Sequence, residues 1–347
     1  MSDEVAPTVD LYRLLNIRSS PLDFDCILNQ RTIFAPSLRR LVKAKTQRMN
    51  VEIPVFNLYP QVKSPDLCKS GALTFYGNDE LYLEAVSAVM DYAIVLNAYE
   101  RDNLRETVRA VLAPYLAKQF DQNVYVLWYA SLDWDLLDRL YEARSHQLSA
   151  KSQPVCKPIV MYSGRLNTMQ KRFPLVAEIM ARVKQLRPEF HCLVTTHETD
   201  AKDWGTKYPQ FEWIWKCDRE EYLRKAAKAT VSVYCSVDEG VGACNFEMLS
   251  VGVVPVILSA KWVEPNMPRY PFVAANPDEV VRLVIWVAEN PEKANEMVEP
   301  MRKYVREKYS GGDRFKGMYE FMKERLPVPA KSESLGQLVR AAMKKGG

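Results

Sequence analysis

No run of about 18 apolar residues occurs anywhere in the chain, so no segment reads as a membrane-spanning helix. No Cys-x-x-Cys pair occurs either. The seven cysteines (Cys26, Cys68, Cys156, Cys192, Cys217, Cys235 and Cys244) are scattered, which argues against zinc and against a disulfide framework. They read as small buried hydrophobes. The three histidines, His146, His191 and His197, share no metal-ligand spacing, and no metal requirement is expected. His191 opens a strand and reads as structural, whereas His197 stands at a strand end where a ligand would approach. Internal repeats and low-complexity blocks are missing. The acidic, proline-containing start from Met1 to Pro7 does not read as a signal peptide, so a cytoplasmic protein without integral membrane association is expected.

What is present is an ordinary globular composition, 48% hydrophobic and 26% charged over 347 residues, enough for two domains of usual size. The net charge of +4 tolerates a polyanionic partner without demanding one. From Lys157 to Tyr309 short β-branched runs alternate with amphipathic stretches, the pattern of a parallel sheet covered on both faces. Strands are expected at Pro158–Tyr162, Phe190–Thr195, Phe211–Ile214, Ala229–Cys235 and Val254–Ile257. Helices are expected at Arg172–Leu186, Arg219–Lys228, Asn245–Leu249, Pro277–Glu289 and Pro291–Lys308.

The first half alternates less regularly. Strands are expected at Phe24–Leu28, Ile53–Asn57, Tyr92–Leu96 and Val124–Trp128, with helices at Ser37–Gln47, Asp79–Met90 and Glu100–Leu116. The polar segment Ser145–Pro158 reads as a linker, giving an N-terminal lobe over 1–148, a C-terminal lobe over 149–326 and a flexible basic tail over 327–347. No glycine-rich loop opens the first half, so a nucleotide site is expected in the second.

One stretch carries most of the chemistry. Glu239-Gly240-Val241-Gly242-Ala243-Cys244-Asn245-Phe246-Glu247 sets two carboxylates seven residues apart in a turn from strand to helix. Amides at a helix N-terminus suit phosphate oxygens. A second element, Tyr162-Ser163-Gly164-Arg165-Leu166 with Lys171 beyond it, carries two cations. Arg165 can clamp phosphate with two prongs, while Lys171 acts as a point charge. Taken alone, both cations also fit an ordinary surface. Glu247 fits a first-turn acid favoured by the helix dipole, and Glu239 a solvated loop acid.

In order and spacing, these elements together with Gly252-Val253-Val254-Pro255-Val256-Ile257 and Val124–Asp133 resemble retaining GT-B glycosyltransferases, in particular family four, over roughly Asp91 to Tyr309. The resemblance implies an α/β protein of two Rossmann-like lobes with a cleft between them. It implies a nucleotide-sugar donor, most simply a UDP-sugar, whose ribose hydroxyls bond Glu247 and whose transferred sugar lies near Glu239. Diphosphate or sugar contacts would come from Gly164, Arg165, Lys171, Gly240, Val241, Gly242 and Ala243, and the nucleobase would lie against Trp215 and Lys216. Trp215 serves equally well as core. The wording Ala243-Cys244-Asn245 departs from the family, which leaves the sugar open. Asp133-Trp134-Asp135 has the Asp-x-Asp form of one-lobed glycosyltransferases that hold a divalent ion, but Asp133 reads better as a helix cap.

The acceptor is less legible. Arg31, Arg39, Arg40 and Lys43, with Lys45 and Arg48, form a basic face that attracts phosphates of nucleic acid or membrane, or is simply solvated. Asp25–Arg31 and Ile53–Asn57 resemble phage enzymes that glucosylate hydroxymethylated pyrimidines in DNA, and double-stranded DNA is the leading acceptor expectation. A lipid-linked or polysaccharide acceptor is the alternative, and an inactive binding module a second one.

Overall fold

The computed structural model describes residues 27–29, 55–59, 78–112, 115–130, 132–149, 157–198, 203–216, 218–310 and 313–326. Two compact units emerge, one from Met1–Tyr129 with Gly311–Gly347, the other from Ala130–Ser310. The sequence reading put its boundary at 148/149 and kept everything up to residue 326 in the second lobe. The difference has a packing cause. The last described helix buries its apolar face on the first sheet, and a helix follows the surface that covers its apolar stripe.

The first unit holds four parallel strands in the order β1 (Ile27–Asn29), β2 (Val55–Tyr59), β3 (Tyr92–Val95) and β4 (Val124–Val126). Alternation along the strands divides the side chains between two layers. Tyr59, Ala93 and Val95 pack with Ala85, Ala88, Val89, Leu104, Val108, Ala117 and Phe120 of helices α1 (Asn78–Met90), α2 (Ala98–Val111) and α3 (Leu116–Asn123). Phe56 and Ile94 face the other way, onto Met318 and Met322 of the C-terminal helix Asp313–Lys323. That helix fits closely because Gly317 lies against the Tyr125 ring, where a Cβ would collide with the hydroxyl. The single helix expected over Glu100–Leu116 is two helices. Pro114 falls between them, and proline can neither donate an amide nor let its predecessor stay comfortably helical.

The second unit opens with helix α4 (Trp134–Ser149), whose start is capped by Asp133, Oδ1 accepting from the Leu136 amide at 3.0 Å. Its six strands are all parallel: β5 (Ile159–Ser163), β6 (His191–Thr196), β7 (Glu212–Trp215), β8 (Val231–Tyr234), β9 (Val254–Leu258) and β10 (Val273–Ala274). They lie in the order β10-β9-β8-β5-β6-β7. Counted from the first strand this is the doubly wound 3-2-1-4-5-6 arrangement, in which the chain reverses direction across the sheet between the first and fourth strands. β8 and β9 are buried throughout, so their apolar runs show no alternation. Helices α5 (Phe173–Leu186), α6 (Asp203–Lys207), α7 (Arg219–Ala226), α8 (Ala243–Ser250), α9 (Val263–Asn266), α10 (Pro277–Glu289) and α11 (Pro291–Tyr309) link and cover the strands, and the C-terminal helix of the first unit is α12.

Candidate functional site

In an open doubly wound sheet the strand ends on both sides of the reversal diverge, and the crevice they leave collects ligands. Here the reversal lies between β5 and β8. The loop leaving β5 is Gly164–Thr168 and the loop leaving β8 is Cys235–Gly242, the two segments singled out from sequence.

The β5 loop is held rigidly. Gly164 has φ +155°, and a Cβ there would come within 2.8 Å of the Tyr162 hydroxyl, so the position demands glycine. Its amide donates to the Thr195 carbonyl at 3.2 Å. The Tyr162 hydroxyl, in turn, donates to the Arg165 carbonyl at 2.7 Å. Beyond Arg165, the amides of Leu166 and Asn167 both donate to Glu198 Oε2, at 2.6 and 3.0 Å. Arg165 therefore stands on a backbone fixed from both sides, with an exposed side chain. A single 3-10 turn, Met169–Lys171, follows and delivers Lys171 to the crevice.

The β8 loop meets that turn directly. Lys171 Nζ forms an ion pair with Glu239 Oε1, the two side chains 20% and 13% exposed. Glu239 is thus no solvated loop acid. Gln170 reinforces the junction, its side-chain amide donating to the Asp238 carbonyl and its own carbonyl accepting from the Val237 amide at 3.0 Å. From behind, Trp262 Nε1 donates to the Ser236 carbonyl at 3.0 Å and Asn266 Nδ2 to the Gly240 carbonyl at 2.8 Å. Val241 is buried. Gly242, at φ +71°, turns the chain into α8 without a side-chain cap, and a Cβ there would press on the Trp262 ring. Ala243 is the first helical residue, so Glu247 falls one turn inside α8.

Glu247 is 4% exposed. Its Oε1 accepts from Arg219 Nη2 at 2.6 Å and its Oε2 from the Tyr222 hydroxyl at 3.4 Å, both on α7. Burial pushes the carboxyl above its usual range, and the Arg219 charge followed by the Tyr222 bond opposes that push. Around it the Tyr222 and Tyr234 hydroxyls are held well above the usual phenol range by burial, and the Cys244 thiol is pushed up to about 12 by the same cause. These three groups stay neutral at physiological pH and leave the charge chemistry to Arg219, Glu247, Lys171 and Glu239.

Trp215 ends the edge strand β7, half-buried, and stacks on Trp213 with centroids 5.1 Å apart. Lys216 follows in left-handed backbone at φ +55°, exposed. Two residues later Asp218 caps α7, accepting the Glu221 amide at 2.7 Å. The chain thus passes from Trp215 to Arg219 and reaches Glu247 through Arg219. Sequence reasoning missed Arg219, Tyr222, Glu198 and Gln170. The one local signal was the cap-and-acid run Asp218-Arg219-Glu220-Glu221, which marks a helix start but names no distant partner. The basic residues Arg31, Arg39, Arg40, Lys43, Lys45 and Arg48, and the tail 327–347, lie outside the described residues. Among the described residues no group of three or more His, Cys, Asp or Glu side chains could hold a metal ion. No helix among them is long and apolar enough to cross a membrane.

With that geometry established, similarity to known proteins can be stated. The fold is that of the GT-B glycosyltransferases. The chain superimposes on TarM with a TM-score of 0.60 at 12% identity, over 85% of this chain and 54% of that one. It therefore spans about half the length of TarM, an S. aureus form of which has been seen with UDP, fondaparinux and alpha-GlcNAc-glycerol. Sucrose-phosphate synthase from Thermosynechococcus elongatus gives a TM-score of 0.66 at 14% identity, over 87% and 73% of the two chains. A trehalose-6-phosphate synthase studied for glycosyltransfer with retention gives 0.62 at 11% identity, over 90% and 76%. No family model matches the sequence, and no curated protein matches it significantly.

Proposed function

We propose that the chain is a retaining glycosyltransferase that takes a sugar from a nucleotide donor, a UDP-sugar, bound at the β5–β8 crevice. The observation that carries this reading is the meeting of the Gly164–Lys171 and Glu239–Glu247 segments at the reversal of the sheet, joined by the Lys171–Glu239 ion pair. Glu247 accepts the ribose hydroxyls. Arg165 and Lys171 face the diphosphate, the Gly240–Ala243 turn adds backbone contacts, and Glu239 holds the sugar or stabilises positive charge building on its ring. Trp215 and Lys216 border the nucleobase.

In the transfer the bond from the anomeric carbon to the diphosphate oxygen breaks and its electron pair leaves with the phosphate. The acceptor hydroxyl oxygen forms the new bond on the same face and gives its proton to the departing phosphate oxygen. The cations are needed because negative charge grows on the diphosphate in the transition state. Arg165, on a backbone anchored at its carbonyl and through the two amides that follow it, supplies one of these cations. The trehalose-6-phosphate synthase neighbour supports retention.

The leading acceptor is a hydroxymethylated pyrimidine in DNA, supported by the basic face from Arg31 to Arg48 and by the N-terminal resemblance, the target base leaving the stack to react. A carbohydrate or lipid-linked acceptor is the second reading, favoured by the TarM complex with fondaparinux and alpha-GlcNAc-glycerol. Labelled UDP-glucose incubated with hydroxymethylated DNA, polysaccharide or lipid extract separates the two. Label on DNA supports the first; label only on carbohydrate or lipid transfers the reading to the second. Neither donor hydrolysis nor nucleotide binding would leave a binding module without transferase activity.

A further inference from the structure

Glu247 carries an ion pair that the transfer chemistry does not itself require. Its side chain is 6% exposed, whereas that of Arg219, which bonds it at 2.6 Å, is 52% exposed. The guanidinium therefore reaches the buried carboxylate from its solvent side, the side from which a ligand arrives. Arg219 is placed there by its own helix, since it is the first residue of α7 behind the Asp218 cap, and Tyr222 on the next turn meets the other carboxylate oxygen.

We infer that Arg219 is a positioning residue that holds Glu247 ionised and aimed, so that a nucleotide's ribose hydroxyls meet a ready acceptor. The inference rests on the donor-site reading above and adds the device that makes the acceptor usable. A carboxylate with a side chain this buried takes up a proton unless a cation opposes it. The groups facing Glu247 leave that task to Arg219. Tyr222 on α7 and Tyr234 on β8 are neutral phenols, and Cys244, one turn earlier on α8, is a neutral thiol. Lys171 from the β5 loop and Glu239 from the loop before α8, which face Cys244, are engaged with each other. At the far end of α8, Arg302 donates to the Leu249 carbonyl and not to this carboxylate. An ionised carboxylate accepts a hydroxyl in a bond roughly twice as strong as a neutral one. A protonated carboxyl has one oxygen committed as donor.

The consequence is proton linkage. Without Arg219, nucleotide binding has to expel a proton from Glu247 as the medium becomes more acid, at a cost approaching about tenfold in affinity per pH unit below the new pKa. The test is calorimetric titration of the full chain with UDP, ADP and GDP between about pH 8.5 and about pH 6. Wild type is expected to bind one of them with nearly constant affinity. Arg219→Ala is expected to weaken progressively toward acid pH and to release a proton on binding, measured in buffers of different ionisation enthalpy. Arg219→Lys restores the flat profile, and Arg219→Ala with Glu247→Gln is weak at every pH. Should Arg219→Ala fail to fold, Arg219→Gln keeps the hydrogen bond without the charge and is read the same way. If the Arg219→Ala profile runs parallel to wild type, the inference falls while the donor reading stands. If wild type binds no nucleotide, both fall together.

Discussion

Two strand-to-helix turns, one in each unit, start alike and end differently. After β3, Asn97 caps α2 by accepting the Glu100 amide at 2.8 Å, and Glu100 reaches back to accept the Leu96 amide at 3.0 Å. Both residues are fully buried, and the turn is closed by its own side chains in a reciprocal capping arrangement. After β8, Gly242 stands at the corresponding position in left-handed backbone and offers no side chain as a cap. A capped helix start is satisfied structure. A glycine-capped one leaves its first-turn amides uncontested by a side chain, and under the proposed reading those amides face the donor's phosphates.

That contrast can be broken at the charged turn or at the closed one. The largest effect is expected from Arg165→Ala, which under the proposed reading removes a cation that meets growing phosphate charge. Transfer should slow by roughly a hundredfold or more in kcat with a smaller change in nucleotide affinity, measured by steady-state kinetics beside direct UDP titration. Glu247→Ala should do the reverse, weakening UDP by about tenfold to a hundredfold, since under the proposed reading it strips buried acceptors from the ribose. Unaltered kinetics and binding in both variants would remove these residues from the site.

Gly242→Asn sharpens the comparison. Asparagine tolerates left-handed backbone, but from there it cannot make the cap that Asn97 makes from extended backbone, and its Cβ presses on Trp262. UDP affinity should fall several-fold while the thermal midpoint drops modestly; tighter UDP binding would contradict an anion-facing turn. At the closed turn, Asn97→Ala should cost about 1 kcal/mol of stability by denaturant titration and leave UDP affinity unchanged.

The smallest effect concerns pH. Burial raises the folded-state pKa of Glu247 above its unfolded value, so the folded chain binds that proton more tightly. Its contribution to stability is present in acid and is lost as pH rises through the folded pKa. Glu247→Gln should therefore raise the melting temperature more at about pH 7 than at about pH 4. A uniform shift at both pH values would mean that the carboxylate is not strained by burial.

Much of the second unit was legible because its signals are local. The helix expected at Pro277–Glu289 has those bounds in the structure, with Asn276 capping its start by accepting the Glu279 amide at 3.0 Å. The buried run Val254–Leu258 and the acid-spaced loop were equally plain. The first unit was less so. Pro114 broke an expected helix, and the surface on which α12 packs lies in strands that precede it by some two hundred residues, beyond the reach of any periodicity. Trp215 marks the opposite case, since its stacking partner Trp213 lies two residues back on the same strand face and follows from strand alternation alone.

The sequence by itself determined the alternation of the main strands and helices of the second unit, the location of the two loops and the acid spacing between Glu239 and Glu247. Propensity, capping and turn chemistry act over a few residues, so these features can be read directly. Only the tertiary structure decided the partners: Lys171 with Glu239 across 68 positions and Arg219 with Glu247 across 28. The first pair follows from the strand order, which brings the ends of β5 and β8 together at the reversal of the sheet, and the second from α7, which links β7 to β8 and lays Arg219 and Tyr222 against Glu247. Once both loops hang from neighbouring strand ends, burial and charge select which side chains meet.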